Sequence, residues 1–132
     1  MTVSATLVAD LDEALRRYED ATNTHDFAQI APLVDQDAVY WFSDGTHVGV
    51  EAIRRAFERA WATIGDEQYH LHDVQWLALG TETAACAYRF TWAGYIGGQR
   101  RQGGGRGTNV LARRDGVWRI VHEHLSPHPQ QS

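Results

Sequence analysis

From Leu7 onward the apolar positions recur at Leu7, Leu11, Leu15 and Tyr18, with Thr22 continuing the stripe and acids and arginines between them. That spacing predicts an amphipathic helix of about four turns. Asn23–Thr24–His25 breaks it. Asp26 is then placed to cap a short second helix over FAQIAPLV, with Gln29 three residues on as in a capping box. DAVYWFS, residues 37–43, is β-branched and aromatic and reads as a strand closed by the Asp44–Gly45 turn. A third helix follows over residues 50–64, with Ile53, Phe57, Trp61 and Ile64 as its stripe and Glu51 near the positive end of its dipole.

After Gly65 the period changes. YHLHDVQWLALG, TAACAYRFTWAGYI, GTNVLARR and VWRIVHEHL read as four strands, separated by Gly80–Thr81, Gly97–Gly98 and the hairpin dipeptide Asp115–Gly116. The order α-α-β-α-β-β-β-β, three helices beside a mostly antiparallel sheet, predicts an α+β domain. Strands with apolar residues on both faces need cover on both sides. The helices supply one cover and a second subunit the other, so a homodimer is expected.

Length, charge and cysteine usage narrow this picture. The 132 residues suit one domain with one core, ordered over about residues 5–126 and ending in a polar tail at 127–132. Seventeen acids against twelve bases give a net charge of −5, so nothing draws the chain generally toward nucleic acid or an anionic membrane. Cys86 is the single cysteine, which excludes an intrachain disulfide and fits a reducing compartment. No basic leader or membrane-length apolar run is present, and a cytoplasmic protein is expected.

Candidate chemistry concentrates at the C-terminal strand. Strict alternation puts Trp118, Ile120, His122 and His124 on one face and Val121, Glu123 and Leu125 on the other. His122/His124 and His70/His72 have a His-x-His spacing that metal sites use, but no CxxC, HExxH or carboxylate third ligand completes a set. The histidines are therefore read as interfacial or hydrogen-bonded, and no metal or other cofactor is expected. GGQRRQGGGRGT lies between strands and lacks GK[ST], so it reads as a hairpin or bulged strand in which Arg100, Arg101 and Arg106 form a solvated basic turn. Cys86, Tyr88, Phe90 and Trp92 share one strand face, which Trp41 and Tyr18 can join. Most such rings build core; those lining a cavity would select a flat or cyclic apolar ligand. Cys86, with no histidine beside it, reads as a small buried hydrophobe.

YEDATNTHDFAQIAPLVDQDAVYW, GVEAIRRAF and RRDGVWRIVHEHLS together resemble the nuclear transport factor 2-like superfamily, especially its SnoaL-like branch. ARRDGVWRIVHEHLSPHP also resembles the association domain of calcium/calmodulin-dependent protein kinase II. The resemblance implies a curved sheet wrapped by helices into a cone with an internal pocket, usually dimeric. Such domains serve as steroid isomerases, polyketide cyclases, dehydratases, epoxide hydrolases and non-catalytic hubs. Tyr18 matches the isomerases' oxyanion-binding tyrosine and Asn109 falls at their second oxyanion donor, while their base position falls on Phe42. The hub's three pocket arginines correspond to Phe90, Asn109 and Leu125, which implies a more apolar pocket.

If Leu125 faces that pocket, so does Glu123, and the histidines face away. Desolvation would raise the Glu123 pKa and suit it to general acid–base work; the alternative is a structural pair with Arg89 or Arg106. The expectation is a cofactor-independent isomerase, cyclase, dehydratase or epoxide hydrolase acting on an apolar cyclic substrate. Glu123, Tyr18 and Asn109 would carry the chemistry, and Trp41, Tyr88, Phe90, Trp92 and Leu125 would shape the site. The alternative is a non-catalytic ligand-binding or self-association domain.

Overall fold

A computed structural model of the chain describes residues 3–129. Residues 130–132 of the expected polar tail lie outside the described residues. Helix α1 (Val3–Thr22) is followed by the single turn α2 (Phe27–Ile30), strand β1 (Val34–Phe42), the short β2 (Gly45–Val48) and helix α3 (Val50–Thr63). The long strands β3 (Gly65–Leu79), β4 (Thr83–Ile96), β5 (Gln99–Arg114) and β6 (Val117–Pro127) complete the chain. They form one six-stranded sheet in the order β2-β1-β6-β5-β4-β3, antiparallel except for the parallel β1–β6 pair. The architecture is α+β, with the helices along one side of a curved, unclosed sheet.

The helical stripes supply the core. Leu11, Leu15 and Tyr18 of α1, and Ile53 and Phe57 of α3, are buried against Tyr40, Cys86, Tyr88, Phe90, Leu111, Trp118 and Ile120 of the sheet. Each such side chain contributes about 1.5–3 kcal/mol when it leaves water. Asp26 caps α2 as expected, its Oδ1 accepting from the Ala28 amide at 3.1 Å. The helix is shorter than FAQIAPLV, however: Ala31–Leu33 tightens into a 3-10 turn around Pro32, and Val34 already begins β1.

Three departures from the pattern have physical causes. β2 was not expected, because four residues closing a hairpin on β1 carry too little alternation to register. The Gly-rich segment beyond the Gly97–Gly98 turn, expected as a hairpin or bulged strand carrying a basic turn, is an unbulged strand against β4, because β4 lays its rings over it. Tyr88, Phe90 and Trp92 stand opposite Gly107, Gly105 and Gly103. A Cβ on Gly107 would come within 2.5 Å of the Tyr88 ring, and one on Gly103 within 2.7 Å of Trp92 Nε1. Only glycine leaves room for those rings, and the rings cover the strand that glycine alone would weaken.

The third departure is a break in alternation on β6. Val110 pairs with His122 but Leu111 with Ile120, so Val121 is an extra residue in the ladder. Trp118 and Ile120 consequently face the core together with Glu123, rather than sharing a face with His122 and His124. β3 is an edge strand, and α1 answers its open backbone. Asn23 exchanges two hydrogen bonds with the Tyr69 backbone (2.8 and 2.7 Å), and Glu19 Oε2 accepts from the Leu71 amide at 3.2 Å. These bonds fix Tyr69 against the helix end.

Candidate functional site

A cavity of about 620 Å³ lies between α1, α3 and the concave face of the sheet. Phe42, Phe57, Trp61, Phe90, Trp92 and Leu125 form apolar walls, and Tyr18, Tyr69 and Glu123 add polar groups to its interior. Exposed Ser43, Asp44, Arg59 and Thr63 mark its mouth. Two other depressions, of about 510 and 710 Å³, lie on strand surfaces and do not include Glu123.

Glu123 is 2% exposed and belongs to no ion pair among the described residues. Arg89 pairs instead with Asp73 on the outer face, where Arg106 also lies, so the structural pairing considered for Glu123 does not form. Burial pushes the Glu123 carboxyl up to about 7, opposed by hydrogen bonds from Tyr18 and Asn109 that favour its ionised form. The Asn109 Nδ2 donates to Oε1 at 3.2 Å, while the Tyr88 hydroxyl donates to Asn109 Oδ1 at 2.7 Å. The Tyr18 and Tyr40 hydroxyls are 2.7 Å apart. One relay therefore ends on the carboxylate, Tyr88 through Asn109, and the bonded Tyr18–Tyr40 phenol pair lies near it.

All four buried phenols around it, those of Tyr18, Tyr40, Tyr69 and Tyr88, are pushed well above the ordinary tyrosine range, first by burial and then, directly or beside neighbouring phenols, by the Glu123 charge. They remain donors at neutral pH. Glu123 is thus the group in this cluster that exchanges a proton near pH 7. Tyr69 Oη is buried, and though near Tyr88 it meets no partner at hydrogen-bonding geometry.

The residues singled out from sequence divide by position. Glu123, Tyr18, Phe90, Trp92 and Leu125 line the cavity, as does Phe42. Asn109 is fully buried behind Glu123, with both ends of its amide engaged, so it holds the carboxylate and does not face a ligand oxygen. Tyr88 likewise sits in the layer behind. Trp41 does not line the cavity: on β1 its buried neighbour Tyr40 points inward, and Trp41 is 46% exposed on the opposite face. There its ring stands edge-on to His122 and His124, at 4.9 and 5.4 Å. His122 Nδ1 is bonded to the Val39 carbonyl oxygen at 2.7 Å.

Among the described residues no three of His, Cys, Asp and Glu converge as metal ligands would. The chain has no lysine, its twelve bases all being arginine, so a lysine imine is not part of its chemistry. Cys86 is buried, its thiol pushed up to about 12 by burial, which leaves it protonated and unreactive. No helix among the described residues is long and apolar enough to cross a membrane.

Two cavity groups escaped the sequence reading. Glu67 lies in β3 just ahead of YHLHDVQWLALG, the segment read as strand, and Tyr69 had no partner to distinguish it from a core ring. Alternation back from Tyr69 through Glu67 is the signal that could have found the first.

The geometry accords with relatives of known structure. The SnoaL-like domain family model matches residues 11–130. A nuclear transport factor 2-like superfamily protein from Salmonella enterica superposes with a TM-score of 0.88 at 17% identity, over 98% of this chain and 96% of its own. A Xanthomonas campestris protein provisionally described as a calcium/calmodulin-dependent protein kinase II association domain gives 0.79 at 24%, over 94% and 87%. A Streptomyces avermitilis protein of the same fold family, provisionally described as a dehydratase, gives 0.80 at 19%, over 96% and 99%. Identities this low establish the shared fold alone. No curated protein matches the chain significantly.

Proposed function

Since this chain belongs to the SnoaL-like domain family, we propose that its cone binds a small, largely apolar cyclic molecule and that Glu123 moves a proton on it. The observation that carries this reading is the placement of Glu123: a carboxyl inside an apolar cavity, without a cationic partner, poised near pH 7. Ionised, it accepts a proton from carbon or from water; protonated, it returns one to the ligand. The unpartnered Tyr69 phenol is the donor for the oxygen on which negative charge develops once the ligand brings the two together, and Asn109 holds the carboxylate in place. Isomerisation, cyclisation, dehydration and epoxide opening all fit such an acid–base pair, and none needs a cofactor.

Deuterium exchange tests this even before a natural substrate is identified. A panel of cyclic ketones and enones is incubated with protein in deuterated buffer, and exchange α to the carbonyl is followed by NMR. Wild type should accelerate exchange in at least one member that binds, and Glu123→Gln should return it to the buffer rate. Equal exchange by both proteins removes Glu123 from the role.

A second reading, self-association, draws on the Trp41–His122–His124 cluster, in which Trp41 and His124 are exposed, and on the exposure of Leu77 (63%). A homodimer packed through the outer sheet face would cover the Trp41 cluster. Light scattering of wild type and Trp41→Glu tests it: a dimer that the substitution dissociates supports the reading, and a wild-type monomer rejects it.

A further inference from the structure

We infer that the ligand of the cone is an organic cation, a cyclic or aromatic body bearing a protonated amine, and that Glu67 is the residue that receives its charge. The inference rests on the pocket reading above and specifies its substrate class. The cavity lining holds three carboxylates, those of Asp44, Glu67 and Glu123, against one base, Arg59. Arg59 is exposed and already stands 3.8 Å from Asp44 at the mouth. That leaves Glu67 and Glu123 facing the interior with no cation of the protein's own.

Glu67 is the less provided of the two. Its carboxylate is half-buried and, among the described residues, has neither a hydrogen bond nor an ion pair. The neighbouring imidazole of His25 is committed elsewhere: its Nε2 bonds the Glu67 backbone carbonyl at 2.8 Å and its ring stacks on Trp61 at 5.4 Å. Burial alone accounts for the rise of the Glu67 carboxyl to about 7. A second feature on the same walls points to a ligand. Tyr69, a side chain more than nine-tenths buried whose Oη has no hydrogen-bond partner, lines the same cavity.

The chemistry of the walls selects among ligand charges. An anion would enter against two carboxylates and find no interior cation. A neutral apolar ligand would cover Glu67, remove its remaining water and offer nothing in exchange. A protonated amine would pair with Glu67, and the Trp61 and Trp92 rings on the same walls would favour its charge through their π faces. The apolar body would then occupy the space between Phe42, Phe57 and Phe90, with Glu123 on the same lining to exchange a proton.

The test uses three probes on one naphthyl body: 1-naphthylmethylamine, 1-naphthylmethanol and 1-naphthoate. Calorimetric titration at pH 8 keeps Glu67 mostly ionised. The amine should bind wild type at least tenfold more tightly than the alcohol, with the carboxylate weakest. Glu67→Gln should erase that preference, and continued alcohol binding by the variant reports an intact cavity. Equal affinity of amine and alcohol for wild type, or a preference that survives Glu67→Gln, overturns the inference while leaving the pocket reading in place. Failure of all three probes to bind overturns both.

Discussion

Replacing Glu123 by glutamine should make the protein more stable above neutral pH, because the variant removes a charge that burial penalises. An unfolded glutamate titrates near 4.5, whereas folding pushes Glu123 up to about 7. Between those values the folded chain binds more protons than the unfolded one, so stability is greatest below 4.5 and falls as pH rises toward 7. At ~1.4 kcal/mol per pH unit, the full span corresponds to roughly 3 kcal/mol lost by wild type once pH passes 7. Glutamine keeps the Oε1 that Asn109 bonds and carries no charge, so Glu123→Gln escapes that loss. Urea denaturation of both proteins at pH 5 and pH 8.5 measures the effect, since every other titrating group contributes equally to both. The gap should move by about 2.5 kcal/mol in favour of the variant between the two pH values. A gap that stays constant with pH, or moves against the variant, would refute the claim that Glu123 is held largely neutral at pH 5–6 by burial.

Asn109→Leu should deprive Glu123 of one donor and Tyr88 of its acceptor, costing about 3 kcal/mol at pH 8 and less at pH 5, where a protonated Glu123 needs that donor less; paired urea melts at the two pH values show the difference. Gly107→Ala should cost about 1–3 kcal/mol, because its Cβ would meet the Tyr88 ring at 2.5 Å. In a Tyr88→Leu background the same substitution should cost distinctly less, and an equal cost in both backgrounds would argue against ring overlap as the cause. Cys86 should resist Ellman's reagent in the folded protein and react in full in denaturant, since its thiol is buried and pushed up to about 12; rapid native-state labelling would contradict the packing around it.

The fold was legible where one physical effect dominated. The stripes of α1 and α3, the aromatic run of β1 and the Asp115–Gly116 hairpin are each set by local spacing, and they appear within a few residues of their expected bounds. Legibility failed where tertiary contacts override propensity. Glycines in a row weaken an isolated strand, yet β5 persists because Tyr88, Phe90 and Trp92 roof it, a fact distributed between two segments of sequence. The bulge at Val121 reversed the expected facing of Trp118 and Ile120. Glu123 escaped that error because its direction was taken from Leu125, beyond the bulge. At the site, the walls were readable from aromatic alternation on β4. The roles of Asn109 and Glu67 were not, because one depends on which carboxylate lies behind a cross-strand amide and the other on the absence of a partner.

Burial that tunes the Glu123 carboxyl to exchange protons near neutrality should be visible in its own titration. Carbon-13 NMR of protein labelled at glutamate side-chain carboxyls, titrated from pH 3 to 9, tests it most directly, with Glu123→Gln and Glu67→Gln identifying the resonances of interest. The Glu123 resonance should titrate with a midpoint near 7, well above the solvent-exposed glutamates. A Glu123 resonance that titrates together with the exposed glutamates would contradict it.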